Sequence, residues 1–453
     1  MSELTRDDFG SDDFTWGVAH AAYQVEGAWD ADDKGPSIWD TFTHGGGRVF
    51  DKTNGDVATD FYHRYPEDLT LVKAMGFDAQ RFSISWPRVL PDGVGRVSQK
   101  GLDFYSRVVD ACLERGIEPW VTLYHWDLPE VLHQRGGWSN RDSVEWFGEL
   151  AAAVADRLGD RVSRWMVFNE PGTFLPFGYL VGGHAPNVRS LRRFQAAVHH
   201  VGLAQARGAA EIRAAVPGAS VGTTHIFTPP EVAGDGWRHR RAARAFDAVM
   251  NRLYVEPNLG LGYPTDGSPL VKGVERFVQD GDMEALVVDW DFLGVQYYQR
   301  FAVAAVPVPG LRFVPLFRKD HKRFDITAMG WEVDATGLYD VLRTAHAYGK
   351  VPELFVTENG AAYPDHLVDG RVHDVRRTAY YRDHLAQVAR ARRDGVPVNG
   401  YFCWSYCDNF EWAAGLRPRF GLVHVDYETQ RRTVKDSGFW FSRLLGGTAH
   451  PDD

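Results

Sequence analysis

Two short runs of the chain place a carboxylate where a strand should end. In "WMVFNEP", residues 165 to 171, the apolar, strand-like Trp165, Met166, Val167 and Phe168 give way to Asn169, Glu170 and Pro171. In "ELFVTENG", residues 353 to 360, the same switch delivers Glu358, followed by Asn359 and Gly360. Gly, Asn, Asp and Pro normally turn a chain out of a sheet, whereas glutamate is a poor turn residue. A single such glutamate is accounted for by solvent exposure or by an ion pair, and Arg164 is the obvious partner for Glu170. Two of them, once brought together, form a carboxylate pair able to divide acid and base work.

The elements that must bring them together recur along the whole chain. Eight short runs end in polar residues: "FTWGVAHAAYQ", "FDAQRFSISW", "EPWVTLYHWD", "RWMVFNE", "ASVGTTHIF", "DFLGVQYY", "ELFVTENG" and "VNGYFCWSY". Between them, "DFYHRYPEDLTLVKAMG", "GLDFYSRVVDACLERG", "SVEWFGELAAAVADRLG", "FQAAVHHVGLAQARGAAEIRAAV" and "RTAYYRDHLAQVARARRDG" repeat apolar residues at helical spacing. Eight alternations of strand and helix predict an α/β fold, a (β/α)8 TIM barrel with enlarged βα loops, as a single domain over residues 1–453. Such a barrel needs about 250 residues. The surplus falls in insertions, most plainly from Arg300 to Asp334, a stretch rich in Val, Pro and Phe without helical periodicity. Because all strand C-termini of a barrel meet at one face, Glu170 and Glu358 face each other across its mouth. Gln24, Arg81, His125, Tyr298 and Glu411 join them there.

Composition narrows the partners. With 60 acidic residues against 50 basic ones, the formal charge is -10, which argues against a nucleic acid or an anionic membrane. The one basic cluster, "RHRRAAR" at 238 to 244, reads as a solvated helix face. Three cysteines, Cys112, Cys403 and Cys407, supply neither a disulfide framework nor zinc spacing, and all three read as small buried apolar residues. The acidic start "MSELTRDDFGSDDF" lacks the basic region and apolar core of a secretory signal, which predicts a soluble, cytoplasmic protein. Neither a metal nor a cofactor is implied. A metal-dependent reading built on His125 and Asp127 lacks further ligands at convincing spacing.

In this order and approximate spacing, "AAYQVEG", "RFSISWPR", "YHWDLP", "NEP", "QYY", "GWE", "TENG", "DNFEW" and "RFGLVHVDYETQ" resemble the blocks of the retaining β-glucosidases of glycoside hydrolase family one, from about residue 14 to 442. The resemblance implies a (β/α)8 barrel that hydrolyses β-glycosides with retention, acting on a small β-glycoside or oligosaccharide. It implies Glu170 as acid/base and Glu358 as nucleophile, with Arg81 and Tyr298 holding Glu358 ionised and Asn169 bonding the sugar 2-hydroxyl. Gln24, His125, Glu411 and Trp412 resemble the family's partners of the other hydroxyls, Trp404 its stacking platform, and Trp331 an aglycone-side wall. Trp126 and Phe420, inside matching blocks, complete the substrate-binding set. One departure stands out: Gln296 replaces the family's usual Asn, a longer amide expected to shift Tyr298 or a contact near the 2-hydroxyl. Retention of Glu411 favours unphosphorylated sugars, because a carboxylate repels a phosphate. A transglycosylase and a catalytically silent sugar-binding barrel are the competing readings.

Overall fold

A computed structural model describes residues 4–10, 13–46, 48–265, 268–306, 314–316 and 324–451. Eight parallel strands close into a barrel: β1 (Thr15–Ala19), β2 (Ala79–Ser83), β3 (Glu118–Tyr124), β4 (Arg164–Asn169), β5 (Ser220–Ile226), β6 (Phe292–Gln296), β7 (Glu353–Asn359) and β8 (Val398–Trp404). Each strand pairs with its sequence neighbour. Closure comes where Ala19 of β1 lies beside Trp404 of β8 on one side and Arg81 of β2 on the other.

All eight runs expected to be strands are strands, and the boundaries that moved have local causes. The first run stops early: β1 ends at Ala19, and Ala22–Val25 forms a turn of helix, so Gln24 sits on that turn beyond the strand. The Ser83 hydroxyl accepts the Ala22 N–H at 2.8 Å, a bond that draws the chain across the top of β2. The five expected helices appear as α1 (Phe61–Ala74), α2 (Gln99–Glu114), α3 (Ser143–Leu158), α4 (Leu191–Ala215) and, on the far side of the insertion, α7 (Val375–Arg393). Among the described residues, three more helices of ten or more residues join them: α5 (Trp237–Asp247), α6 (Thr336–Ala347) and α8 (Asp436–Leu445). Helix α2 shows how such elements form. Ser98 caps it by accepting the Gly101 N–H at 3.2 Å, and Leu102, Tyr105, Val108, Val109 and Cys112 bury one face at three-to-four spacing. The basic cluster lies on α5, with Arg238, Arg240, Arg241 and Arg244 exposed as expected. Cys112, Cys403 and Cys407 are free and buried.

An aromatic plug fills the barrel. Trp120 of β3 meets Phe292, Phe355 and Phe402 edge-on at ring distances of 5.5, 4.9 and 5.0 Å, the arrangement that aromatic quadrupoles prefer. Rings of this size fit because the adjacent strand carries glycine at the paired position, Gly17 beside Phe402 and Gly222 beside Phe292. A Cβ on Gly17 would lie 2.2 Å from the Phe402 ring, and one on Gly222 would lie 2.5 Å from Phe292. The plug leaves the interior solid, so any site must open at the strand C-termini.

The insertion after β6 contributes strand Phe301–Ala304, which pairs with Pro230–Val232 and Val314–Leu316 in a small sheet beside the mouth. Residues 307–313 and 317–323 of the expected insertion lie outside the described residues. Among the described residues no helix is long and apolar enough to cross a membrane.

Candidate active site

A cavity of about 590 Å³ opens at the C-terminal face of the barrel, and both strand-end glutamates line it. The ion pair available to Glu170 does not form. Arg164 begins β4, roughly 20 Å away along six residues of strand, and there approaches Glu118 and Glu353 at 3.8 Å each. Glu170 is instead 4% exposed with a left-handed φ of 48°, at the N-terminus of the short helix Pro171–Leu175. Pro171 disfavours a right-handed helical conformation at the residue before it. The ladder also slips between Met166 and Asn169 against β5, and again between Val356 and Glu358 against β6. Such irregularities re-aim side chains, and here each lies beside one of the two glutamates.

The two carboxyls have different neighbours. Glu358 Oε1 receives Arg81 Nη1 at 2.5 Å and Oε2 receives the Tyr298 hydroxyl at 2.8 Å. Arg81 is held in turn, donating from Nε to Thr122 Oγ1 at 3.1 Å and from Nη1 to the Thr357 carbonyl at 3.1 Å. Glu170 has no cation beside it, and its Oε1 is buried without a partner among the described residues. Burial, and then the charge on Glu358, push the Glu170 carboxyl well above the ordinary glutamate range. Burial raises Glu358 as well, but Arg81 and the Tyr298 hydroxyl oppose it. Glu358 is thus raised rather than held at its ordinary value, and of the two carboxyls it is the one that gives up its proton first.

Around the pair stand the other expected residues. His125, Trp126, Asn169, Tyr298, Trp331, Trp404, Glu411, Trp412 and Phe420 all line the cavity. Arg81 and Gln24 are buried directly beneath it, bonded to Glu358 and Glu411. The Gln24 amide donates to Asn409 Oδ1 at 3.0 Å and to the Phe410 carbonyl at 2.8 Å, bracing the loop that carries Glu411. Burial, then the Glu358 charge, push Glu411 up to about 8, while Gln24 holds it back. Burial, then Arg81, keep the His125 imidazole neutral. Its ring stacks on Trp404 and Trp412 at 6.0 and 5.9 Å, and Trp126 lies 4.6 Å from Trp412. Trp331 packs on Tyr298 at 5.4 Å and on Phe420 at 6.1 Å, forming an outer wall. Despite the longer amide of Gln296, Tyr298 still reaches Glu358; Gln296 bonds Asn169 Oδ1 at 2.9 Å.

Asp127 is not part of this surface: its carboxyl is buried, both oxygens lack partners among the described residues, and burial pushes it up to about 8. The outer half of the cavity adds residues that no motif marks, among them Thr173, Phe177, Met250, Gln299, Phe301 and Met329. They come from loops of several different βα units, and no spacing relates them.

The arrangement is a blind pocket with aromatic walls and two unlike carboxyls at its floor, and it matches known proteins over nearly its whole length. Residues 6–448 match the model of glycosyl hydrolase family 1. The chain is 42% identical to beta-glucosidase A of Thermotoga maritima over 437 residues, covering 95% of this chain and 96% of that one. It is 40% identical over 456 residues to a bifunctional beta-D-glucosidase/beta-D-fucosidase of Bifidobacterium breve, covering 95% and 97%. The solved structure of a family 1 β-glucosidase from Thermotoga maritima superposes with a TM-score of 0.92 at 40% identity, covering 97% of this chain and 99% of that one. With fold and sequence in agreement over residues 6–448, this chain belongs to glycosyl hydrolase family 1.

Proposed function

We propose that the protein is a retaining β-glucosidase that removes terminal non-reducing β-D-glucosyl residues, with β-galactosides and β-fucosides as side substrates. The observation that carries this reading is the asymmetry of the carboxyl pair: Glu358 is held by Arg81 and Tyr298, while Glu170 is desolvated, with no ion pair and one oxygen unpartnered among the described residues. In the first half-reaction Glu358 attacks the anomeric carbon as Glu170 protonates the departing oxygen, with a carboxyl separation of about 5 Å. The glycosyl ester removes the negative charge from Glu358, and with it one of the causes that keep Glu170 protonated. Glu170 then takes a proton from the water that cleaves the ester.

Asn169 is the donor to the 2-hydroxyl, a contact that strengthens in the transition state. His125, Gln24, Glu411 and Trp412 serve the remaining hydroxyls, and Trp404 is the platform for the apolar face of the sugar. Trp126 and Phe420 shape the walls, and Trp331 borders the aglycone. Gln24 and Glu411 can bond an equatorial or an axial 4-hydroxyl, which supports the side activities. The free, buried cysteines support a cytoplasmic enzyme fed with small soluble glycosides, such as cello-oligosaccharides from cellulose degradation.

The test is kcat/KM for nitrophenyl β-glucoside, β-galactoside, β-fucoside, 6-phospho-β-glucoside and α-glucoside. Turnover confined to the unphosphorylated β-substrates and led by the glucoside is the expected result. No turnover of any β-glycoside by folded protein would overturn the proposal.

A further inference from the structure

Asn169 has the most heavily constrained side chain in the cavity, and the types of its partners fix which way its amide points. A guanidinium can only donate hydrogen bonds. The Asn169 atom 2.5 Å from Arg81 Nη2 is therefore the amide oxygen, and the atom 3.0 Å from His125 Nε2 is the amide nitrogen. It follows that His125 accepts on Nε2 and carries its proton on Nδ1. The Trp126 indole N–H pins the Asn169 backbone carbonyl at 2.9 Å. One of the two N–H groups of the amide goes to His125, and the other is left for the cavity that Asn169 lines.

Arg81 cannot hold the amide oxygen alone with much authority. Its Nη1 is engaged by Glu358 and the Thr357 carbonyl and its Nε by Thr122, so a single N–H bond ties it to Asn169. The second donor to that oxygen is Gln296 Nε2 at 2.9 Å, from a side chain that is fully buried at the end of β6. We propose that Gln296 is a positioning residue for recognition at C2 of the sugar: with Arg81 it clamps the Asn169 oxygen, so that an Nδ2–H faces the substrate's 2-hydroxyl. Gln296 is absent from the cavity lining and acts only through Asn169. This rests on the β-glycosidase reading and deepens it, since it assigns the residue that replaces the family's usual Asn a definite task.

The experiment compares Gln296→Met, which keeps length and volume but removes the donor, with wild type on two substrates, an aryl β-glucoside and its 2-deoxy analogue. Loss of one hydrogen bond to a buried amide predicts a fall in kcat/KM of roughly 10- to 100-fold on the glucoside. The fall should lie mainly in kcat, because the contact strengthens in the transition state. On the 2-deoxy substrate, corrected for spontaneous hydrolysis, kcat/KM should stay within about 3-fold of wild type. Equal losses on both substrates, or none on either, would overturn the inference, as would a wild type indifferent to the 2-hydroxyl. Should Gln296→Met fail to fold by thermal unfolding, Gln296→Asn makes the same comparison, its shorter amide giving a smaller loss confined to the 2-hydroxy substrate. Folded wild-type protein inert towards every β-glycoside would defeat the functional reading and this one together, whereas equal losses in an active enzyme defeat this one alone.

Discussion

Two of the buried charge clusters in this molecule are built on opposite rules. Behind β7 and β8, Asp365, Asp374 and Asp408 are matched by Arg377, Arg419 and Lys435. Lys435 Nζ lies 2.5 Å from Asp365 and 2.6 Å from Asp408, Arg377 bridges Asp365 and Asp374 at 2.9 and 2.5 Å, and Arg419 reaches Asp408 at 2.6 Å. Three acids meet three bases, and the remaining acceptor sites are filled by the N–H groups of Gly421 and Ser437. At the floor of the cavity, Glu170, Glu358 and Glu411 have one ion-paired cation among them, Arg81 on Glu358, and Glu170 and Gln24 keep orphaned oxygens. In the first cluster burial would raise Asp408, yet Lys435 and Arg419 outweigh it and hold the carboxyl below its ordinary value. In the second, all three glutamates are raised. The balanced cluster joins the loops after β7 and β8 to α7 and the start of α8; the unbalanced one keeps protons available for chemistry.

The sharpest way to break the comparison is to remove one member from each cluster. Glu358→Gly should lower hydrolysis by about 10⁴-fold or more, as loss of a nucleophile does; it leaves the buried Arg81 without its ion-pair partner, a cost to stability that the loss of a raised, buried carboxyl partly offsets. Added azide, small enough to enter the vacated space, should attack the anomeric carbon and restore turnover as an α-glycosyl azide, identified by NMR. A variant that azide does not rescue would count against Glu358 as nucleophile. Lys435→Met should do the reverse. It strands Asp365 and Asp408 in the interior, and breaking a buried pair from one side costs about 3–5 kcal/mol. Urea titration should show that loss, while kcat of the folded fraction stays near wild type.

Much of this was legible in the chain. The strands announced themselves because each apolar run stops at a polar residue, and the barrel follows from eight such stops. The glutamate pair and Tyr298 sit at or just past those stops, whereas Arg81, expected at one, lies in the middle of β2. The helices α6 and α8 were not legible. The first directly follows a stretch without periodicity, and the second starts with Ser437 and Gly438, weak helix formers held in place by Asp374, which takes the Ser437 N–H at 2.8 Å and its hydroxyl at 2.5 Å. Tertiary bonds of that kind leave no local trace. The outer cavity is hidden for a related reason: Thr173, Met250 and Phe301 meet only because three separate loops converge. The clamp on Asn169 was half visible, since Gln296 stood out as a departure but its partner did not.

The two clusters should also pull stability in opposite directions with pH, and Glu411→Gln isolates one of them. A carboxyl raised in the folded state binds its proton there at a pH where the unfolded chain has lost it. Glu411, with a folded value of about 8 against 4.5 unfolded, therefore weakens the fold progressively as pH rises from about 4.5 to 8. Asp408, depressed, stabilises the fold above its unfolded value of 3.8 and loses that contribution as pH falls through its lower folded value. In Glu411→Gln the first trend should vanish, giving a gain on the order of 1 kcal/mol or more at pH 8 and none near pH 4 by urea titration. The gain should be accompanied by a fall in kcat/KM, the usual exchange at a site that keeps unneutralised charge for its function. A variant with unchanged stability at pH 8 would show that Glu411 is well solvated.

The smallest effect belongs to the rim, where neither charge rule applies. Trp331 is half-buried, its ring touching Tyr298 and Phe420 on one side and the cavity on the other. If it borders the aglycone, Trp331→Leu removes apolar contact that is present equally in the ground and transition states. Such uniform binding sets KM and leaves kcat alone. For aryl β-glucosides KM should rise about 3- to 10-fold, the equivalent of about 1 kcal/mol of lost contact. For methyl β-glucoside, whose aglycone cannot reach the ring, it should hardly change. A fall in kcat on both substrates would mean that Trp331 instead props Tyr298 against Glu358, and the rim would then belong to the catalytic cluster.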